Sequence, residues 1–495
     1  MTPRLRDKLR WTAWWFAPLA LALYLYWAGI FAWFQQDDFV WLNLLPRAHS
    51  FHDVLTLLFQ PTDHGTWRPL PERAFFLSFG WLFGYNALPY RIVVFLTQCA
   101  NLALAAAISR RLSGSALVGL LAAVFWIGSW ELIVVMSWTS EYILPAVGFC
   151  LLLAFYLLLR YAETREQRYW RFCWMVFLLG FLMMETNIVF PLLAASFAFL
   201  YARPIFRKTL AFFVPSALYG VVHIFVANRQ PKGVYTIHLD QSILHTLAAY
   251  AATVFQPESL DSFTRFPAWV APAGAAAVGV ALIAFTIWRV YRRDWLPTML
   301  VAWFLFLLAP VLPLRDHIVP YYLTLPTLPL SMLGAVAMAA AWNLRTALPS
   351  MLAARVLATG LAAFYLTESA WVAHGGTEWW ADRSHDVERL ARFVFRLHRR
   401  RPEAVIVLRN VDSLLFWTGV AHYPFLDDSG RPYVYLASGS ESGIEARPET
   451  GFRVADFVYP EDKLRSGLIH DRAVLIDVSR AGFFDVSSQF RPAAP

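Results

Sequence analysis

Charge is scarce in this chain. Asp, Glu, Lys and Arg make up only 15% of its 495 residues, against about 25% in soluble domains. That scarcity excludes an ordinary water-soluble enzyme. Cysteine is scarcer still. Cys99, Cys150 and Cys173 all fall inside apolar runs, where they read as core residues and exclude a disulfide framework. There is no zinc-type Cys/His spacing, no P-loop, no dinucleotide-binding fingerprint, no internal repeat and no low-complexity tract.

Apolar side chains are abundant: 58% of the residues are hydrophobic and 17% aromatic. Residues 11–34, WTAWWFAPLALALYLYWAGIFAWF, carry no charge. They are long enough to cross a hydrocarbon core of about 30 Å. The run is too long for a signal-peptide core and reads as a retained first helix. Further runs lie near 89–109, 115–136, 142–159, 172–184, 187–201, 209–227, 268–288, 295–312, 320–342 and 348–371. The expectation is a membrane all-α protein, a polytopic bundle of about 11 transmembrane helices. The short pair 172–184 and 187–201 flanks METN. It reads as a shallow hairpin or one interrupted helix.

Orientation follows from the basic residues, which favour the cytoplasmic side. With the amino terminus inside, the inner segments hold 17 basic and 4 acidic residues. The outer loops and span edges before residue 375 hold 8 basic and 13 acidic. The net charge of +8 therefore comes from inner loops and gives no reason to invoke nucleic acid. Residues 35–88 and 228–267 are the long outer segments, and ILHTLAAYAATVF in the second reads as an interfacial helix.

Composition changes near residue 375. From there on the chain holds 16 basic and 17 acidic residues, half of its 34 acids. DRSHDVERLARFVFRLHRR reads as an amphipathic helix, and AVIVL, PYVYLA and RAVLIDV as strands. The expected division is a transmembrane domain at 1–374 and a small extracytoplasmic α/β domain at 375–495. The second carries no catalytic motif and reads first as support or acceptor binding.

Four outward stretches carry chemistry-bearing side chains. Asp37 and Asp38 follow the first apolar run directly and precede FVWLNLL, which looks interfacial. A carboxylate in a partly dry cleft is a usual general base; the alternative is two acids ending a helix in water. DHGTWRPLPERAFFLSFG gathers His64, Trp67, Arg68, Glu72 and Arg73. The arginine fork suits phosphate or carboxylate, or serves only to pair with Asp37, Asp38 or lipid headgroups. Glu185 sits between apolar segments, which marks a functional candidate in a membrane. LPLRDHIVPYYLTLP places Arg315, Asp316 and His317 before Tyr321 and Tyr322. Glu131 and Glu141 bracket another outer turn.

The order DDF (Asp37–Phe39), WRPL (Trp67–Leu70), then GYNALPYRIVVFLTQCANLALA resembles the GT-C superfamily of integral-membrane glycosyltransferases. METNIVFPLL and RDHIVPYYLTLP extend the likeness over about residues 10–340. It is similar to the protein O-mannosyltransferase-type branch, including transmembrane mannosyltransferases with tetratricopeptide repeats. No such repeats follow here, and Met183–Met184 stand where that branch has Ser-Lys. The resemblance implies a sugar donor on a polyprenyl phosphate, used on the extracytoplasmic face of the cell membrane, the inner membrane in a bacterium. The acceptor is a hydroxyl on a protein, glycan or lipid. It implies Asp37 as base, with Asp38 as its partner or the roles exchanged, and Glu185 orienting base or acceptor. Arg68, Arg73, Arg315 and His317 are the implied phosphate contacts; His64, Trp67, Tyr321 and Tyr322 are the implied substrate contacts. No cofactor is required, and a divalent metal is compatible with the chemistry. The competing classes are a transporter or flippase of lipid-linked sugars, an outward-facing oligosaccharide or O-antigen ligase, and a non-catalytic scaffold. A flippase predicts ionisable groups near mid-membrane, whereas here they gather at the outer face.

Overall fold

A computed structural model describes residues 3–60, 66–227, 233–256, 267, 269–427, 430–447, 450, 452–479 and 481–490. The chain is mostly helical, with a small sheet near its carboxyl end. Five described helices are long and apolar enough to cross a membrane: Ala87–Ser113, Thr139–Thr164, Arg203–His223, Val270–Tyr291 and Leu348–Arg400. Ala116–Ile127 and Trp130–Ser137, bent by 58° at a break, make a sixth if taken together. Phe16–Ile30, Glu185–Tyr201, Leu296–Leu308 and Thr327–Asn343 are shorter apolar helices.

The expected count of 11 is therefore not reached by length, and proline explains part of the shortfall. The run 295–312 is helical only over Leu296–Leu308, ahead of Pro310 and Pro313. The run 320–342 becomes α-helical only at Thr327, after Pro320 and Pro326. A ring without an N–H cannot continue the ladder. The pair around METN forms two helices, Gln167–Gly180 and Phe190–Tyr201, joined by a turn and a 3₁₀ segment. Val280, Ile283 and Ile287 on one helix, and Leu348, Leu352, Val356 and Leu357 on another, leave large apolar side chains exposed. Such stripes suit hydrocarbon rather than water.

Leu348–Arg400 is one unbroken helix of 53 residues, about 80 Å at 1.5 Å per residue. The apolar run 348–371 and the amphipathic stretch before Arg400 are thus a single rod that passes through position 375. Beyond it lies a five-stranded sheet: β1 (Val405–Arg409), β2 (Val434–Ala437), β3 (Val458–Tyr459), β4 (Ala473–Ser479) and β5 (Gly482–Asp485). Its order is β3-β2-β1-β4-β5. β3, β2, β1 and β4 run parallel, and β5 pairs antiparallel with β4. β1 is buried over Ile406–Leu408, as parallel strands covered on both faces require.

One buried cluster joins the sheet to the start of the chain. Val387, Leu390 and Val394 of the long helix and Ile406, Phe416 and Trp417 pack with Trp33, Phe34, Phe39, Phe75, Phe76 and Tyr90. Among the described residues, hydrogen bonds cross the seam at several points. Trp33 N donates to Ser384 Oγ (2.8 Å) and Gln36 N to Thr418 O (2.8 Å). Asn43 Nδ2 donates to Tyr423 O (2.8 Å) and Arg383 Nε to Gln35 Oε1 (2.8 Å).

Below the seam, Arg91 Nε donates to Gly29 O (2.8 Å), and its Nη2 donates to Met136 O. A Cβ at Gly29 would lie 2.1 Å from Met136 O. Gly29→Ala is therefore expected to cost about 1–3 kcal/mol through overpacking, seen as a lower Tm in detergent. Gly360→Ala meets nothing within 4 Å and should match or exceed the wild type, since alanine is the better helix former.

Candidate functional site

The adjacent acids are separated by the backbone. Gln36 adopts a left-handed conformation (φ 51°), unusual for a side chain with a Cβ. Its N–H is held by Thr418 O. Past this bend Asp38 turns inward and is fully buried. It accepts from Gln35 N (3.0 Å), Ser140 N (2.7 Å) and Ser140 Oγ (2.6 Å). Burial pushes its carboxyl up to about 7, against the pull of those hydrogen bonds and of Arg91. Asp38 thus ties the loop after the first helix to the turn at 139–142. Asp37 stays about half exposed, with Oδ1 3.0 Å from His422 Nε2.

Arg68 is brought to Glu185 by a backbone link, Leu70 N to Leu182 O (3.2 Å). Its Nε reaches Glu185 Oε1 (3.2 Å) and Oε2 (2.9 Å), and Nη1 reaches Glu72 Oε1 (2.9 Å). Burial works against the guanidinium's charge, but Glu185 and Glu72 hold its pKa well above the usual value. Burial raises Glu72 to about 7, with Arg68 opposing. One cation therefore faces two carboxyls, of which Glu72 titrates near neutrality. Among the described residues Nη2 has no hydrogen-bond acceptor.

The polar groups share a neighbourhood. Tyr235 is 42% exposed, yet desolvation of its hydroxyl raises its pKa, and it feels the charges of Arg68, Asp37, Glu141 and Glu72. Asp37 and Glu141 also act on Tyr321, and Arg68 and Glu141 on Tyr322. His317 lies against Tyr235 (ring centroids 4.7 Å) and Tyr322 (5.7 Å), with Tyr321 Oη 3.4 Å from Nε2. Burial lowers its pKa.

Other expected groups lie apart or are already engaged. Arg73 is buried and donates from Nη1 to Leu57 O, pinning the helix Phe51–Phe59. Arg315 is 41% exposed and pairs with Asp240 (3.2 Å), while Asp316 takes His238 (2.9 Å). The Arg-Asp-His triplet is thereby split between two tasks. Trp67 sits near Phe59 (6.4 Å), with Nε1 buried and without an acceptor among the described residues. His64 lies outside the described residues. Among those described, no group of three His, Cys, Asp or Glu converges as metal ligands would.

Sequence reasoning missed Ser140, Tyr235 and His422. Ser140 sits in the short 3₁₀ segment Thr139–Tyr142 and Tyr235 in a turn, neither in a motif, and His422 lies in AHYPF within the tail. A lone histidine in a soluble-looking tail gave no signal linking it to an acid near the amino terminus.

No protein-family model and no curated protein matches this chain. Among solved structures, it is similar to ArnT from Cupriavidus metallidurans in the apo state, at 12% identity and a TM-score of 0.46. That likeness covers 95% of this chain and 94% of that one. ArnT from the same organism bound to undecaprenyl phosphate is similar at 11% identity and a TM-score of 0.45, with the same coverage. Likeness at this level is one of outline.

The buried acid makes a testable statement about stability. Asp38 would titrate at 3.8 in an open chain and does so at about 7 when folded. Between those values the folded chain holds the extra proton, so stability falls as pH rises through the interval. Asp38→Asn should remove this share. Tm measured against pH in detergent should then fall less steeply between about 4 and 7 than in the wild type. An identical slope in the two proteins would contradict the assignment.

Proposed function

We infer that the chain is an integral-membrane glycosyltransferase of GT-C type. It moves a sugar from a polyprenyl-phosphate donor to an acceptor hydroxyl on the extracytoplasmic face. The observation that carries this reading is the pairing of an accessible carboxylate with a buried guanidinium in one polar neighbourhood: Asp37, half exposed, and Arg68, whose Nη2 has no acceptor among the described residues. The order of DDF, WRPL, METN and the tyrosine loop along the chain supports it.

The chemistry needs two groups of opposite kind. As the acceptor oxygen forms its bond to the anomeric carbon, the bond from that carbon to the phosphate oxygen breaks. The electron pair leaves on the polyprenyl phosphate, and the hydroxyl proton passes to Asp37 Oδ2 and then to water. A positioned base contributes about 10²–10⁴-fold to such a step. Charge growing on the leaving phosphate is met by Arg68, with His317 as the second donor of the same pocket. Glu185 orients Arg68 by holding Nε across both its oxygens. Glu72 near neutrality lets the cluster shed one negative charge when an anion arrives. Tyr321 and Tyr322 line the approach. Asp38 has a supporting role: its carboxyl is already occupied by three donors. In this reading the amino terminus is cytoplasmic and the carboxyl-terminal domain lies outside.

The test is transfer by the purified full chain from a panel of polyprenyl-phosphate-linked sugars, with sugar release to water as the acceptor-independent signal. Asp37→Asn is expected to lower turnover at least 100-fold, in line with removal of a general base, and Arg68→Gln is expected to weaken donor use. Wild-type turnover in Asp37→Asn would remove the base. Donor translocated without a broken glycosyl–phosphate bond would point to a flippase instead.

A further inference from the structure

Asp37 begins a short helix, Asp38–Leu42, from the position where an aspartate usually caps the free N–H groups with its side chain. It makes no such bond. Its Oδ1 instead meets His422 Nε2 at 3.0 Å. The partner comes from the loop after the helix Ser413–Gly419, in the carboxyl-terminal domain.

Both sides of this contact are braced. Gln36 N donates to Thr418 O (2.8 Å) on one flank, and Asn43 Nδ2 donates to Tyr423 O (2.8 Å) on the other. Gln36 (φ 51°) and Tyr423 (φ 50°), the residues next to Asp37 and His422, both sit in the left-handed region. Such conformations are costly for side-chain-bearing residues and persist where the surroundings enforce them. The His422 ring packs edge-on against Phe452 (centroids 5.3 Å, interplanar 77°). Its side chain is only 11% exposed, whereas that of Asp37 is 49% exposed.

Nδ1 is buried and has no hydrogen-bond partner among the described residues, so Nε2 is the ring nitrogen that meets a partner, Asp37 Oδ1. Oδ2 is left for chemistry.

We propose that the carboxyl-terminal domain is a working part of the site: it supplies His422 as the positioning residue that holds Asp37 Oδ1 and aims Oδ2 at the acceptor hydroxyl. This rests on Asp37 being the base.

The test uses the full chain, with sugar release from undecaprenyl-phosphate-linked mannose, glucose and galactose as probes. His422→Phe keeps a ring against Phe452 but removes the donor. It should lower kcat at least 10-fold, with KM within twofold and Tm near wild type. His422→Gln keeps an N–H and should recover kcat to within about threefold of wild type. Adding His422→Phe to Asp37→Asn should cost nothing further, since both act through one group. Independently of activity, ¹⁵N NMR of histidine-labelled protein should show the His422 Nε2 resonance, assigned by its loss in His422→Gln, move in Asp37→Asn. That reading stands even if the Phe variant does not fold. If Asp37→Asn is inactive but His422→Phe turns over like wild type, the positioning role is overturned and the base survives. If Gln is no better than Phe, or the Nε2 resonance is unmoved by Asp37→Asn, the role is likewise overturned. Wild-type turnover in Asp37→Asn overturns both.

Discussion

Residues 31–43 leave the first helix and, instead of entering water, fold against the far end of the chain. Phe34 and Phe39 are fully buried in the cluster that contains Phe416 and Trp417, and Gln36 N–H is bonded to Thr418 O. Each fully buried phenylalanine contributes about 1.5–3 kcal/mol of hydrophobic stabilisation, more than a single exposed ion pair supplies. This apolar seam fixes the backbone bend at Gln36. The bend sends one acid inward and leaves the next beside solvent. Without the seam, Asp37 and Asp38 are two flexible charges on a loop; with it, they have separate tasks.

The second constraint is electrostatic. Arg68 is largely buried, and a buried cation needs paired acids. Glu185 and Glu72 meet that need from two different segments. The arrangement is overcompensated by one carboxyl, and burial moves the excess proton onto Glu72 near neutral pH. Glu185 and Glu72 hold the guanidinium at Nε and Nη1, and Nη2 has no acceptor among the described residues. Arg73 Nη1, by contrast, is engaged by Leu57 O, and Arg315 pairs with Asp240 at the surface.

Much of this was legible from residue order, and the remainder was not for identifiable reasons. Apolar runs located the helices because their length and lack of charge are local properties. Strands β1, β2 and β4 were visible in AVIVL, PYVYLA and RAVLIDV, while β3, with two residues, and β5 were too short or too mixed to stand out. Arg68 and Glu185 were each recognisable as charges in apolar company. Their pairing depends on the contact between Leu70 and Leu182, which has no local signature. The division of labour between Asp37 and Asp38 was illegible because it is decided by Ser140 and His422. The seam itself joins residues 380 apart, as between Asn43 and Tyr423, and no periodicity encodes such a contact. The long helix Leu348–Arg400 hid for the opposite reason: its composition changes midway while its backbone does not.

The central claim is that the loop at 31–43, the carboxyl-terminal domain and the Arg68 cluster form one anion-accepting hollow. A cryo-EM structure of the full chain in nanodiscs containing undecaprenyl phosphate tests it directly. The account predicts the phosphate within hydrogen-bonding distance of Arg68, about 2.7–3.2 Å, in the same hollow as Asp37, with His422 still on Oδ1. A phosphate seated elsewhere, or a first loop detached from the carboxyl-terminal domain with Asp37 in open water, would contradict it.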